Sequence, residues 1–152
     1  MEKYADKNAL NFEVSLDKWV TWTYREYYAE CLTFAKALIT LEIKNYSAVN
    51  IIGFNSPEWA VAFSGSILGN YLPIGIYTTN GPDACEYIAN HSEAEVVIME
   101  DQTHLMKYVK VKDKIKNIKY FVLYKGKIPD DLDSDFDGKV LSWSQFMDLG
   151  KK

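Results

Sequence analysis

Four short apolar segments alternate with stretches that carry helix signals, and this alternation constrains the fold more than any other feature. Each segment is rich in Val, Ile, Tyr or Phe, as in buried strands, and the stretches between them begin with helix-capping residues. A strand–helix–strand succession of this kind is typical of a parallel sheet with crossover helices. The segments are residues 49–54, 72–77, 95–99 and 119–124. With 152 residues and no Pro-, Gly- or Ser-rich linker, we expect a single α/β domain over residues 1–152.

A β-hairpin is predicted before this alternating region. Residues 9–14 alternate between apolar and polar side chains, and residues 19–22 form an aromatic, β-branched return strand. Thr23 is followed three residues later by Glu26, which is the capping-box pattern of a helix start. The residues after it draw one apolar stripe at helical spacing: Tyr27, Cys31, Phe34, Ala35, Leu38 and Leu41.

Three crossover helices are predicted between the four strands. The first is capped by Ser56 and ends near Gly69, the second starts at Pro82, and the third runs from Asp101 to about Lys114. The side chains expected to point inward in the second and third helices are Cys85, Ile88, Ala89, Leu105, Tyr108 and Val109.

One stretch is long enough to suggest a membrane span, because no charged residue lies between Glu58 and Asp83. Pro73 and the glycines that flank it would interrupt a single helix in its middle, however. We therefore interpret the stretch as a buried helix followed by a buried strand and predict no transmembrane segment. The N-terminal residues 1–8 lack an apolar core, so no signal peptide is predicted. Peripheral membrane association stays open.

Charge and cysteine usage exclude several classes of function. The chain has 17 Lys and Arg against 21 Asp and Glu, for a net charge of −4, and Arg25 is its single arginine. This composition argues against a nucleic-acid partner. Cys31 and Cys85 lie among apolar neighbours and are expected to be buried free thiols, as in a reducing intracellular compartment. His91 and His104 have no second ligand at metal spacing, so no zinc site is predicted.

Two loops have the residue types of ligand sites but lack essential parts. Residues 133–138 match the opening of an EF-hand calcium loop, yet the twelfth position holds Ser144 in place of a bidentate Glu. An acidic solvated loop is the favoured interpretation, and weak calcium binding is the alternative. Residues 77–83 lie between a strand and a helix, but they offer one glycine and no Lys, and Asp83 would repel a phosphate. We interpret them as a helix start.

No catalytic constellation can be assigned from the residues. Both histidines lie on polar stretches without an assignable Ser, Cys or Asp partner. A local basic run is interpreted as a solvated helix face. It comprises Lys107, Lys110, Lys112, Lys114, Lys116 and Lys119.

Several motifs nevertheless resemble the adenylate-forming, or AMP-binding, superfamily. The strand-to-helix junction Gly53–Trp59 has its Asn-x-Pro-Glu-Trp pattern, preceded by the Thr23-Tyr24-x-Glu26 helix start. Residues 75–88 and 141–150 are similar to long-chain fatty acyl-CoA synthetases, most of all to the bubblegum type. The resemblance runs over nearly the whole chain, in the same order and spacing. It implies the first α/β subdomain of such an enzyme.

The resemblance also implies a reaction and its cofactors. Enzymes of this family use ATP with Mg²⁺ to convert a fatty acid into an acyl-adenylate, and coenzyme A then displaces AMP to give the thioester. The family's phosphate loop, its nucleotide-binding motifs and its catalytic Lys come later in its chain and are not found here. We therefore carry over no catalytic, cofactor-binding or metal residue. Asn55, Pro57, Glu58, Trp59, Thr78, Thr79 and Pro82 match the family as caps and packing residues.

Two hypotheses about function follow from this resemblance. In the first, the chain is the N-terminal part of a long-chain fatty acid–CoA ligase, and its partner is the remainder of the synthetase chain. In the second, it is a short non-catalytic paralogue that serves as a structural or interaction subunit of a larger assembly. Both predict that the chain alone is inactive. Both place it inside the cell, in the cytoplasm or on the face of an organelle membrane.

Overall fold

The N-terminal region folds as an antiparallel hairpin followed by a long helix. In the computed structural model, which describes residues 2–132, 134–136 and 138–151, β1 (Asn8–Ser15) pairs with β2 (Lys18–Thr23). Asp17 occupies the turn with φ near 59°, a conformation that Asp tolerates better than most residues. Phe12 meets Trp22 edge to face, with ring centroids 5.4 Å apart. The predicted hairpin is thus confirmed.

A five-stranded parallel sheet follows, in the spatial order β4-β3-β5-β6-β7. Its strands are β3 (Ala48–Ile52), β4 (Leu72–Ile76), β5 (Val96–Met99), β6 (Tyr120–Leu123) and β7 (Val140–Ser142). β4 lies on one side of β3 and β5 on the other, so the direction of strand addition reverses at β3. The α/β class and the parallel sheet with crossover helices are confirmed.

In the described part of the chain, five α-helices pack on the two faces of this sheet, and most of their starts follow from the sequence. They are α1 (Tyr24–Thr40), α2 (Pro57–Leu68), α3 (Pro82–His91), α4 (Gln102–Val109) and α5 (Trp143–Gly150). Thr23 and Glu26 form the predicted capping box of α1. Ser56 caps α2 and Asp101 caps α4, again as predicted. Short 3-10 turns cover Glu2–Tyr4, Lys112–Lys114 and Ser134–Phe136.

The sheet separates two apolar cores. On one face, α1, α2 and α5 bury a cluster that includes Phe34, Leu38, Val49, Ile51, Val122 and Phe146. On the other face, α3 and α4 bury a cluster that includes Ile52, Cys85, Val97, Leu105, Tyr108 and Phe121. Alternate residues of the same strand enter opposite cores, as the two-residue period of a strand requires. Cys31 and Cys85 are both buried and free, as expected.

The structure corrects several predicted boundaries. The helix predicted from Asp101 to about Lys114 ends at Val109, and a 3-10 turn replaces its last part. β3 ends at Ile52, before the predicted Phe54, because the chain turns at Gly53 toward the cap of α2. β7 and α5 were not predicted as elements at all. Three residues give too short a hydrophobic pattern to identify β7 as a strand.

The uncharged stretch between Glu58 and Asp83 also differs from the prediction. It does form a helix followed by a strand, but neither is fully buried, because β4 is an edge strand and α2 has no protein layer outside it within the described residues. Phe63, Ile67 and Leu72 are exposed. No helix in the described part of the chain is long and apolar enough to cross a membrane.

Candidate functional site

The candidate site is the carboxyl edge of the sheet near β3. In open α/β sheets, ligands bind in the crevice outside the carboxyl ends of the strands, at the point where strand addition reverses. Here that point lies between the loop after β3 and the loop after β5. These loops carry Phe54, Asn55, Glu100 and Asp101.

The crevice is bridged by hydrogen bonds within the chain. The Glu100 carboxylate accepts from the Phe54 amide at 3.0 Å and from Lys125 Nζ at 3.2 Å. Tyr124 Oη donates to the Phe54 carbonyl at 3.2 Å. Burial raises the pKa of Tyr124, and the nearby carboxylate of Glu100 raises it further, so this phenol stays protonated. These contacts join the loops after β3, β5 and β6 and engage Glu100, Tyr124 and Lys125 within the chain.

Gly53 allows this closure. A Cβ at this position would overlap the Tyr124 hydroxyl and approach the Glu100 side chain to 2.9 Å. Neither Glu100 nor Tyr124 was singled out as a site residue from the sequence. The signal that could have found them is a polar residue placed directly after a buried strand, as Glu100 is after β5.

Asp101 and His104 form a helix start beside the crevice. Asp101 Oδ1 accepts from the Thr103 amide at 2.9 Å and lies 3.0 Å from His104 Nδ1. Burial raises the pKa of Asp101, but the hydrogen bonds from His104 and Thr103 outweigh this effect, and the net pKa is lowered.

The structure gives His104 an Asp partner, Asp101, that could not be assigned from the sequence, whereas the ring of His91 stacks on that of Tyr87 with centroids 5.5 Å apart. His104 is 7% exposed, and among the described residues no Ser or Cys side chain hydrogen-bonds to it. The pair is thus suited to start a helix and lacks the nucleophile of a triad.

The loop between β4 and α3 is built as a helix start. Gly81 is the N-cap of α3, and Asp83 adds a negative charge in its first turn, which disfavours an anion there. Lys107 Nζ donates to the Thr78 carbonyl at 2.6 Å, so this cation is engaged by the loop backbone. The interpretation as a helix start is confirmed, and we derive no step of ATP chemistry through it.

Two of the clefts on the described surface lie on α2 or beside it, and both are lined mainly by apolar groups. A cleft of about 440 Å³ lies at the carboxyl ends of β3 and β4, between Phe54, Trp59 and Tyr77. A groove of about 320 Å³ lies between α1 and α2, with Tyr24, Cys31, Ile67 and Leu68 in its walls. Burial raises the pKa of Cys31 to about 11, so its thiol is not an activated nucleophile.

The structure describes only part of the acidic loop at residues 133–138. Asp133 and Asp137 lie outside the described residues, as does the side chain of Asp135, while Phe136 is buried in the core of the α3–α4 side. Ser144, at the twelfth position of the calcium pattern, lies in the first turn of α5. Over the described part of the chain, no three His, Cys, Asp or Glu side chains are grouped so as to hold a metal ion. The acidic-loop interpretation stays a prediction.

The basic run is less uniform than predicted. Lys107 is half-buried and hydrogen-bonds to Thr78, and Lys119 pairs with Glu95 at 3.0 Å. Lys114 lies 3.6 Å from Asp83, between two exposed side chains. Several of these cations therefore bind neighbouring elements together, which a solvated helix face would not require.

The parallel sheet, its crossover helices and the preceding hairpin form an architecture that is shared with adenylate-forming enzymes of known structure. The chain belongs to the AMP-binding enzyme family, which matches residues 1–148. The long-chain-fatty-acid–CoA ligase ACSBG2 of Xenopus laevis is 36% identical over 151 residues, covering 99% of this chain and 20% of the relative. The human long-chain-fatty-acid–CoA ligase ACSBG1 is 35% identical over 152 residues, with 100% and 20% covered. The resemblance to the bubblegum-type synthetases is confirmed.

Solved structures show the same architecture. The anthranilate CoA ligase AuaEII, in complex with anthranoyl-AMP, superposes with a TM-score of 0.70 at 26% identity, over 80% of this chain and 22% of that one. The A domain of carboxylic acid reductase from Segniliparus rugosus gives a TM-score of 0.78 at 16% identity, over 99% and 28% of the two chains, and shows the fold alone. The chain spans about a fifth of the length of the curated relatives it matches.

Proposed function

We propose that residues 1–152 form one α/β unit of a long-chain fatty acid–CoA ligase and serve as its scaffold. The observation that carries this proposal is the match to such ligases, at 36% identity over 99% of the chain. In the full enzyme, the activity would be formation of acyl-CoA, AMP and pyrophosphate from a fatty acid, ATP and coenzyme A. The remainder of the synthetase chain is then the partner of this unit.

The chemistry of the described residues supports a scaffold role. Glu100, Tyr124 and Lys125 bind other parts of the chain, and Lys107 is held by the Thr78 carbonyl. No described group is positioned to neutralise charge on an α-phosphate, which acyl-adenylate formation needs. We infer that the unit itself contributes no catalytic, nucleotide-binding or metal residue, and that ATP, Mg²⁺ and coenzyme A bind to the rest of the enzyme.

A chimera tests the scaffold role directly. In the Xenopus laevis relative, the matching 151-residue segment is replaced by this chain, and fatty-acid-dependent ATP–pyrophosphate exchange and acyl-CoA formation are measured. We expect the chimera to be active, whereas the 152-residue chain alone and the relative without its matching segment are inactive. Exchange by the isolated chain would contradict the proposal, and so would a folded but inactive chimera.

The second hypothesis, a short non-catalytic interaction subunit, gains no specific observation from the structure. The source transcript distinguishes the two hypotheses. A reading frame that continues past Lys152 into a Thr-, Ser- and Gly-rich loop with a Lys supports the ligase, while a stop codon there supports the subunit.

The location we propose is intracellular, in the cytoplasm or on an organelle membrane, because the two buried cysteines are free. Cell fractionation with an antibody to the chain tests it.

A further inference from the structure

The loop between β4 and α3 contains the single Asn-Gly dipeptide of the chain, Asn80–Gly81. The other asparagines are followed by Ala, Phe, Tyr, Ile, Ser or His, all of which carry a Cβ. The backbone nitrogen that follows an asparagine can attack the carbonyl carbon of its side chain, and glycine obstructs this attack least because it has no Cβ. The sequence thus marks Asn80 as a reactive position, and the fold decides whether it can react.

The two groups that would react are not held by hydrogen bonds. The Asn80 backbone amide donates to the Tyr77 carbonyl at 3.0 Å and closes the turn after β4. Within the described part of the chain, neither the side-chain amide of Asn80 nor the N–H of Gly81 has a hydrogen-bond partner. Asn80 is half-buried and Gly81 is exposed, so water reaches the bond between them.

The surroundings of Gly81 leave room for a ring to form. Gly81 lies just before α3, with φ near −76° and ψ near 176°. No atom lies within 4 Å of the position that a Cβ on Gly81 would occupy. Its carbonyl accepts from the Cys85 amide at 3.0 Å, so the helix holds the carbonyl end of this residue and leaves its nitrogen end free.

Other asparagines of the chain are held by the fold. Asn50 is fully buried in β3 and donates to the Ser92 hydroxyl at 3.2 Å. Asn90 donates to the Lys114 carbonyl at 2.9 Å. A side chain fixed in this way cannot rotate toward the next backbone nitrogen without losing its hydrogen bond. Asn80 therefore combines the most reactive neighbour with a free side chain.

We propose that Asn80 is a site of spontaneous deamidation in the folded protein. The Gly81 nitrogen loses its proton to hydroxide and forms a bond to Asn80 Cγ, while the bond from Cγ to the side-chain nitrogen breaks and ammonia leaves. Water then opens the resulting five-membered imide. Breaking the new bond between Cγ and nitrogen gives an aspartate, and breaking the original peptide bond gives an isoaspartate. The reaction consumes one water, releases one ammonia and needs neither a cofactor nor the proposed function.

The products change the start of α3 in two different ways. Either product adds a negative charge to a chain whose net charge is −4, beside the carboxylate of Asp83. Negative charge near a helix N-terminus is favourable, so the aspartate product should leave the fold intact. The isoaspartate product also lengthens the main chain by one methylene immediately before Gly81, whose carbonyl accepts the first hydrogen bond of α3. This product should loosen the helix start.

Timed incubation followed by peptide mapping with mass spectrometry tests the proposal. The folded 152-residue chain is compared with the same chain in urea, and the chimera described above replaces it if circular dichroism shows the isolated chain to be unfolded. Deamidation raises the mass of the peptide by about 1 Da. We expect Asn80 to react at least about tenfold faster than Asn55, which precedes the small residue Ser56, and within about tenfold of its own rate in urea. The rate should rise with pH, because the attacking nitrogen must lose its proton.

Two substitutions test the chemistry at this bond. Gly81→Ala has room for its methyl group and should slow the reaction at Asn80 about tenfold or more while the chain stays folded. Asn80→Gln should abolish the mass change in this peptide, because the longer side chain would have to close a larger ring. Isomerisation at the sequence Asp137–Gly138 leaves the mass unchanged, so it does not contribute to the signal.

Three results would overturn the proposal. An Asn80 that stays intact in the folded chain but reacts in urea would mean that the fold prevents the attack. Equal rates at Asn80 and Asn55 would mean that the free side chain and the glycine confer no special reactivity. An unchanged rate in Gly81→Ala would mean that the ammonia is lost by direct hydrolysis, without attack by the Gly81 nitrogen.

Discussion

The two sides of the central sheet have similar interiors, but one helix, α2, differs from the other helices in its exterior because it carries no charged residue after Glu58. Both cores are formed by fully buried aliphatic and aromatic side chains packed against alternate residues of the same strands. Outside the core, α3 and α4 carry charged residues, such as Glu86 and Lys107, and Lys114 in the 3-10 turn after α4 lies 3.6 Å from Asp83 of α3. On the other side, α1 and α5 also carry exposed charged residues, such as Lys36 and Asp148, whereas α2 carries none after Glu58. The interior therefore reflects the fold, whereas the exterior shows which helices are adapted to water.

The largest loss of stability is expected where α1 and α2 meet. Tight packing at this contact would show that α2 is firmly held, so that the exposure of its apolar side chains is not due to a loosely packed helix. A Cβ on Gly65 would lie 2.8 Å from the Phe34 ring and 2.9 Å from the Cys31 carbonyl. We expect Gly65→Val to lower the free energy of unfolding by about 3 kcal/mol, since a backbone carbonyl cannot move aside. Urea denaturation measures this change.

Gly81→Ala is the matched control, because nothing lies within 4 Å of a Cβ at that position. It should lower the free energy of unfolding by less than about 1 kcal/mol, because Gly81 is the N-cap of α3 and Ala is a poorer cap than Gly. If Gly65→Val unfolded at the same urea concentration as the wild type, α2 would be loosely held, and the comparison between α2 and the other helices would lose its basis.

A smaller loss is expected at the polar start of α4, a helix that carries charge on its exterior. Asp101→Ala removes the cap that accepts from the Thr103 and His104 amides and should lower the free energy of unfolding by about 1 kcal/mol. Asp101→Asn keeps an N-cap side chain but removes the charge, so it should be less harmful. Thermal unfolding at pH 7 measures both variants.

The contribution of the Asp101 charge should depend on pH in a defined direction. The pKa of Asp101 in the folded chain is lowered from its ordinary 3.8, because its hydrogen bonds outweigh the effect of burial. The stabilisation is therefore complete above the unfolded pKa and disappears as the pH falls through the lower folded pKa. The difference between wild type and Asp101→Asn should shrink below pH 3.8. A difference that grew on acidification would contradict the direction of the shift.

Much of the side formed by α3 and α4 could be predicted from sequence, because its signals are local. Asp101 marks a helix start by its own chemistry, and Cys85 and Leu105 face inward by helical period. The exposure of Ile67 could not be predicted from the sequence. The absence of charged residues from a helix indicates that the helix is buried, but it does not show which groups bury it. Glu100 and Tyr124 were missed for a similar reason, because their contacts with Phe54 join loops distant in sequence.

Two buried tyrosines, one in each core, differ in whether their hydroxyl group is hydrogen-bonded. We expect each Tyr→Phe substitution to change the free energy of unfolding by about 1 kcal/mol or less. Tyr71 donates to the Ile43 carbonyl at 3.3 Å, whereas the Tyr108 hydroxyl has no hydrogen-bond partner of good geometry among the described residues. We expect Tyr71→Phe to lower the free energy of unfolding by about 1 kcal/mol and Tyr108→Phe to leave it unchanged or raise it slightly. Urea denaturation of both variants measures these changes in the free energy of unfolding. A larger loss for Tyr108→Phe than for Tyr71→Phe would mean that the Tyr108 hydroxyl is hydrogen-bonded in the folded protein.

The smallest effect is expected for an ion pair at the start of β5. Lys119 Nζ lies 3.0 Å from Glu95, whose carboxylate is mostly buried and also accepts from the Lys44 amide. Burial raises the pKa of Glu95, but these hydrogen bonds outweigh it and the net pKa is lowered.

Lys119→Ala should lower the free energy of unfolding by only about 0.3 kcal/mol, because Lys119 is half exposed and the Lys44 amide remains as a partner. The loss should shrink further in 1 M NaCl, as it does for solvent-screened pairs. A loss above about 1 kcal/mol that salt does not change would mean that the pair is effectively buried. Charged side chains on the exterior would then stabilise this fold directly, and the outer surface of α2 would lack that contribution.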